Sequence, residues 1–325
     1  LKREEYDKPG IRGVCFELNK QLDFRITMQL SHLIDTSTHK ASMAEVKRIF
    51  SYHYPARYFT AVSRSYRLVK NLYEGKIPGY RACNTQYHNL SHTLDTMLAA
   101  IRLVDGHNIE TSPFPVHLVI NLLNATLLHD TGYIQEDWDH DGTGAKYTSF
   151  HVERSIQFLR KNCEAYKITP DDVTVVANMI RCTGPMVKIE TIQFSSPDEK
   201  LAGYILGTAD LLGQMSGRTY LEKLIFLYYE FKEAGITGFD TEFELVRKTV
   251  DFYEFTKKRL AESYLNTYIY AQRHFRERFA IDHNLYMEAI NRHIGFLHKI
   301  IEDDTTNFRH KLKRGKWVHT YQGTK

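Results

Sequence analysis

Cysteine and proline are scarce in this chain, with four and eight residues among 325. Cys15, Cys83, Cys163 and Cys182 lie far apart and form no CxxC pair. That spacing speaks against a disulfide scaffold or a thiolate zinc site and for a reducing compartment. Long hydrophobic runs are missing too. The longest, Leu118 to Leu128, is broken by Asn121, Asn124 and Thr126, and a membrane helix needs about 20 apolar residues. No basic stretch followed by an apolar one opens the chain, so neither a signal peptide nor a membrane span is expected, and the expected location is cytoplasmic. Charge of one sign is also lacking: 43 basic against 39 acidic residues leave +4. So mild a surplus predicts no nucleic-acid or anionic-membrane partner, since those require a concentrated basic face. The chain begins at Leu1 rather than Met, which reads as a piece of a longer chain and leaves room for an upstream regulatory domain.

What is present is helical periodicity. Leu90, Leu94, Met97, Leu98 and Ile101 follow an i, i+4, i+7, i+8, i+11 pattern. Val116 to Leu128 is apolar nearly all round, as suits a helix buried on most sides. Ser196-Pro197-Asp198-Glu199 reads as a helix start, with a Ser cap, Pro in the first turn and Glu three residues after the cap. Helical patterns follow over Tyr220 to Lys232, Phe243 to Leu265 and Leu285 to Ile301. Val173 to Ile180 is rich in β-branched residues, yet Asp171-Asp172 before it suits a helix start. The fold class is therefore all-α. Gly75 to Thr85 and Gln135 to Lys146 read as loops, and the basic stretch Phe308 to Lys316 as a solvated terminus or a partner-binding arm. Residues 1–80 form an N-terminal helical region, 81–216 a core and 217–325 a C-terminal helical region packing on it, as one continuous domain.

Three segments concentrate polar groups within these apolar patterns. They are Tyr87-His88-Asn89-Leu90-Ser91-His92-Thr93-Leu94-Asp95, Leu127-Leu128-His129-Asp130-Thr131-Gly132-Tyr133 and Gly207-Thr208-Ala209-Asp210-Leu211-Leu212. Two imidazoles (His92, His129) and two carboxylates (Asp130, Asp210) thus sit in helices that pattern as core. Unpaired carboxylates are costly to bury, and a divalent cation offsets that cost. Mixed nitrogen and oxygen ligation suits Zn, Mn, Fe or Mg.

The motifs resemble the HD superfamily of metal-dependent phosphohydrolases, and Tyr-His-Asn-x-x-His-x-x-Asp resembles that of its cyclic-nucleotide phosphodiesterase branch. The resemblance covers about Tyr87 to Gln214. It implies a helical bundle with a metal site between buried helices and two divalent ions (Zn, Mg, Mn or Fe). His92, His129, Asp130 and Asp210 match the ligands of the first metal. Asp130 also matches the carboxylate that bridges to the second, and His88 the general acid. Imidazole titrates near neutrality, as protonation of a leaving alkoxide requires. Where the phosphodiesterase branch has a further His, in HDxxH, this chain has Tyr133. His151, at a helix start, reads either as a second-metal ligand or as a capped surface residue, and Asn89, Asp95 and Tyr133 as groups at or behind the second metal. His140 reads as a loop residue. Where ligand-rich relatives carry another His, this chain has Arg181-Cys182-Thr183, which leaves the second metal to Asp130 and waters. Gln272 and Phe275 have the Gln-x-x-Phe spacing of a base clamp, and Gln214 is an alternative glutamine.

The expected activity is hydrolysis of a phosphoester, foremost a phosphodiester such as a cyclic nucleotide. A nucleotide or other phosphomonoester is the alternative substrate within the same chemistry. A di-iron oxygenase and a non-catalytic nucleotide- or metal-binding sensor are the other classes weighed. A homodimer through aromatic faces is compatible with the sequence.

Overall fold

The computed structural model describes residues 28–34, 36, 38–303 and 308–323. Cys15 and the first part of the N-terminal region lie outside them. Among the described residues the protein is all-helical; a lone bridge between Tyr80 and Glu136 is the extent of β pairing. After a single turn at Leu30–Leu33, the helices are α1 (His39–Phe50), α2 (Phe59–Tyr73), α3 (Leu90–Glu110), α4 (Val116–Leu128), α5 (His151–Tyr166) and α6 (Pro170–Arg181). They continue with α7 (Pro197–Met215), α8 (Tyr220–Glu233), α9 (Glu242–Lys258), α10 (Ile269–Phe279) and α11 (Leu285–Glu302).

Local signals start most of these helices. The Asn89 side chain accepts from the Ser91 and His92 amides at the head of α3, and Ser196 accepts from Glu199 at the head of α7. Thr169 caps α6 just before Pro170, so the β-branched run Val173 to Ile180 is helical. Thr241 and Glu244 close a reciprocal capping box on α9.

Helix α3 is the axis of the molecule. It packs against α1, α4, α7 and α10, and it is buried over nearly its whole length. Helix α4 lies between α3, α2, α6 and α7. One hydrophobic cluster runs from Met43 through Leu128 and Leu212 to Val318, so all three sequence regions share a core. Gly213 lets α7 approach α3: a Cβ there would sit 2.8 Å from the Thr96 nitrogen. That contact sets α7 at the depth where Asp210 faces His92.

Two sequence expectations are corrected. The pattern from Phe243 to Leu265 does not form one α-helix: α9 ends at Lys258, Arg259–Ser263 form a π-helical turn, and Leu265 takes φ +50°. Tertiary bonds decide this, because Arg259 donates to the carbonyls of Gly184 (2.7 Å) and Pro185 (3.0 Å) and Tyr264 donates to that of Cys182 (2.5 Å). The basic tail is also no free arm. Phe308, Leu312 and Val318 are buried, and Arg309 pairs with Glu242 (2.7 Å) while donating to the carbonyls of Val318 and Tyr321.

Among the described residues no helix is long and apolar enough to cross a membrane. Cys83, Cys163 and Cys182 are free thiols.

Candidate metal centre

His92 lies in the first turn of α3, His129 at the C-cap of α4, Asp130 immediately after it, and Asp210 on α7. The fold brings them together. Asp130 Oδ2 is 3.3 Å from Nε2 of both His92 and His129, and those two nitrogens are 3.4 Å apart. Asp210 Oδ1 lies 3.1 Å from the first nitrogen and 3.6 Å from the second. Adjacent ligands bound about 2.1 Å from one ion stand about 3.0 to 3.4 Å apart, depending on geometry. The spacing is that of a coordination shell.

Chemistry agrees with spacing. His129 Nδ1 is 2.7 Å from the Thr126 carbonyl, which accepts its proton and turns the Nε2 lone pair inward. Asp130 Oδ2 and Asp210 Oδ1 are buried and have no hydrogen-bond partner among the described residues. No lysine or arginine among the described residues pairs with either carboxylate. Two carboxylates converge here, Asp130 buried and Asp210 nearly so, and their charge costs several kcal/mol unless protons on the imidazoles or a bound cation neutralise it. A divalent cation would take the place of those protons. The same field acts on the ligands themselves. Burial opposes protonation of His92, but Asp130 and Asp210 outweigh it and hold the imidazole up at about 10. His92, His129 and Asp130 therefore form a buried group that can hold a metal ion.

A second arrangement adjoins the first. The outer oxygen of Asp130, Oδ1, is 3.7 Å from His151 Nε2, and His151 Nδ1 is 2.7 Å from the Thr148 carbonyl. Burial lowers the His151 pKa despite Asp130, which favours a neutral ring with its lone pair free. Gly132 makes this approach possible, since a Cβ there would stand 2.0 Å from the His151 carbonyl oxygen. Ser155 ties the same turn down, donating to the His129 carbonyl and accepting from the Gly132 amide. His151 is thus not a surface residue.

Tyr133 stacks between His88 and His151, with ring centroids 4.4 and 4.6 Å away and interplanar angles of 11° and 22°. It orients two imidazoles at once. His88 lies on the loop before α3, its ring 5.9 Å from that of His92. Its Nδ1 is 2.7 Å from Glu230 Oε2, and Glu230 Oε1 accepts the Tyr87 amide at 2.7 Å. Glu230, on α8, carried no sequence signal; 142 residues separate it from His88.

Other expected site residues are placed differently. Asn89 is the α3 cap and supports His92 from the backbone side. Asp95 is half-buried one turn beyond His92 and turns toward Lys223. His140 is exposed; its neighbour Asp139 is buried and pairs with Lys146. Gln214 borders a narrow gap beside His92. Gln272 and Phe275 are not brought to the cluster. Gln272 donates to the Asp282 carbonyl, and Phe275 is fully buried beneath Arg102 and Tyr286. The Gln-x-x-Phe spacing is a consequence of α10 burying one face.

The molecule is thus an all-helical protein built around a buried imidazole–carboxylate cluster. A family model described as Npun_R2479-like matches residues 137–273, a stretch that includes His151, Asp210 and Glu230. No curated protein and no solved structure matches the chain.

Proposed function

We propose that this protein is a metal-dependent phosphohydrolase of the HD type, with a phosphodiester such as a cyclic nucleotide as its favoured substrate. The observation that carries the proposal is the pair of orphaned buried carboxylate oxygens, Asp130 Oδ2 and Asp210 Oδ1, converging with two imidazole nitrogens beside His88.

His92, His129, Asp130 and Asp210 would hold one divalent ion, and Asp130 Oδ1 with His151 a second. Bound there, such ions acidify water at neutral pH and draw charge from phosphoryl oxygens. The remaining roles belong to the chain. Glu230 accepts the Nδ1 proton of His88, which leaves Nε2 as the atom that exchanges protons with substrate. With Nδ1 held by that carboxylate, His88 is placed to give a proton to the departing oxygen from Nε2. Stacking on Tyr133 fixes the ring plane, and Glu230 acts as a positioning residue by also holding the Tyr87 amide. Phosphomonoesters are the second reading, because the same ligands serve both reactions.

The test is a screen of cyclic nucleotides and phosphomonoesters with the protein loaded with Mn, Mg or Zn. Expected are turnover of a cyclic nucleotide, its loss on chelation, and a fall of roughly 10²- to 10⁴-fold in kcat for His88→Ala at unchanged metal content. Turnover of monoesters alone would overturn the phosphodiesterase reading. Bound metal without turnover of either class would leave a binding module.

A further inference from the structure

One cavity in the molecule is not lined by His92, His129, Asp130 or Asp210. It has a volume of about 680 Å³ and opens between α3, α7, α11 and the turn at Leu30–Leu33. Its walls are basic. Arg102, Arg218, Lys223, Arg292 and Arg314 line it against one carboxylate, Asp95. Glu288 pairs with Arg292 at 2.9 Å, so a surplus of three positive charges remains around the space. That is a dense concentration in a chain whose overall charge is only +4.

Arg102 makes this more than a basic surface. Its side chain is 1% exposed, and it rises from the middle of α3 to the cavity wall. Nη1 donates to the Tyr286 hydroxyl at 3.0 Å, and the guanidinium lies over the rings of Phe275 and Tyr286. Nε and Nη2 have no partner among the described residues. A buried guanidinium with two idle donors is costly. Those donors form one edge of the fork that meets a phosphate or carboxylate through two parallel bonds. Arg218 and Lys223 form no hydrogen bond or ion pair with a side chain among the described residues, and Lys223 is felt electrostatically by Asp95.

We infer that this cavity binds a phosphorylated small molecule of nucleotide size, with Arg102 gripping a phosphate at its floor. A surplus of three charges calls for a ligand with more than one negative charge, which a monocarboxylate lacks. The volume falls within the roughly 300 to 1,000 Å³ of small-molecule pockets and exceeds what inorganic phosphate fills. Leu94, Leu98 and the half-exposed ring of Phe296 supply an apolar wall for the rest of the ligand. The inference does not depend on hydrolysis at the metal centre.

Calorimetric titration of the full chain in EDTA, with pyrophosphate, AMP and ATP as probes, tests it while the metal centre is silent. Binding of at least one probe by the wild-type protein is expected. Arg102→Met, which keeps most of the buried volume, should weaken that binding tenfold or more. The double variant Arg218→Ala/Lys223→Ala, whose sites are exposed or half-buried, should weaken it severalfold and carries the test if Arg102→Met does not fold. Asp130→Asn should bind the probe as the wild type does. The inference is overturned if no probe binds, if binding survives both cavity variants unchanged, or if Asp130→Asn abolishes it.

Discussion

Helix α3 carries two buried carboxylate–imidazole clusters about 20 Å apart along its axis, and they differ in one respect. At the C-terminal end, Asp105 is 2.8 Å from His53 Nε2 and 2.6 Å from His274 Nδ1, and Arg278 meets it with two nitrogens at 2.7 and 3.1 Å. Both oxygens are satisfied and a permanent cation cancels the charge. At the N-terminal end, Asp130 and Asp210 converge on His92 and His129 with no lysine or arginine among the described residues, and one oxygen of each has no hydrogen-bond partner there. Burial, imidazole and aspartate are common to both ends. The missing cation distinguishes a structural network from a site.

Four outcomes would sharpen or break this comparison. The largest effect is expected from Asp130→Asn, which should abolish metal binding by elemental analysis. It should also lower any phosphohydrolase turnover by on the order of 10³-fold or more, about 4 kcal/mol; retained metal would erase the distinction between the clusters. Next, Asp105→Asn should cost roughly 3–5 kcal/mol in chemical denaturation, because it leaves Arg278 without its buried partner. Its metal content should equal that of the wild type, and a loss of metal would make the Asp105 cluster part of the site.

A pH dependence follows. Burial, with help from Arg102 and Arg278, pushes His274 down to about 4 in spite of Asp105. The unfolded chain, titrating near 6.5, then binds more protons than the native state between about 4 and 6.5. The contribution of a neutral His274 is thus complete above about pH 6.5 and lost as pH falls toward 4, by about 3 kcal/mol. Asp105 is also buried, but bonds from His274, His53 and Arg278 hold its carboxyl far below the usual range. Its contribution is present above about pH 4 and lost only below that. Denaturation of wild type and His274→Gln at pH 7 and 4.5 should show a steeper acid loss for the wild type; parallel losses would remove His274 from the account. The smallest effect is that of Glu230→Gln, about tenfold in kcat or roughly 1.4 kcal/mol, with metal content and stability little changed. An unaltered kcat would leave Glu230 with the Tyr87 amide alone.

Much of the fold was legible because helix periods and caps are local. Ser196 with Pro197 and Glu199 acts within four residues; at α6 the cap is Thr169 rather than Asp171 or Asp172, and Asn89 caps α3, where the sequence had suggested a place behind a second metal. The four candidate ligands were named from polar side chains in core-patterned segments and from the motif resemblance, and the fold brings their carboxylates within 3.1 to 3.6 Å of the imidazole nitrogens. Glu230, Arg102 and Asp105 had no such signal, because each acquires its meaning from residues between 52 and 184 positions away. Gln272 and Phe275 fail in the opposite sense. Their spacing suggested a ligand clamp, and the packing of α10 on α3 places the ring in the core.

The sequence by itself determined that this chain is helical, where most helices begin, and that His92, His129, Asp130 and Asp210 stand in core-patterned segments, since propensity, capping and apolar period are short-range. Only the tertiary structure decided which buried charges are cancelled. Arg278 reaches Asp105 while no lysine or arginine among the described residues pairs with Asp130 or Asp210, and Arg102 lines a cavity with two of its donors unpartnered. Charge balance in a low-dielectric interior depends on distances between helices, and no local pattern encodes those.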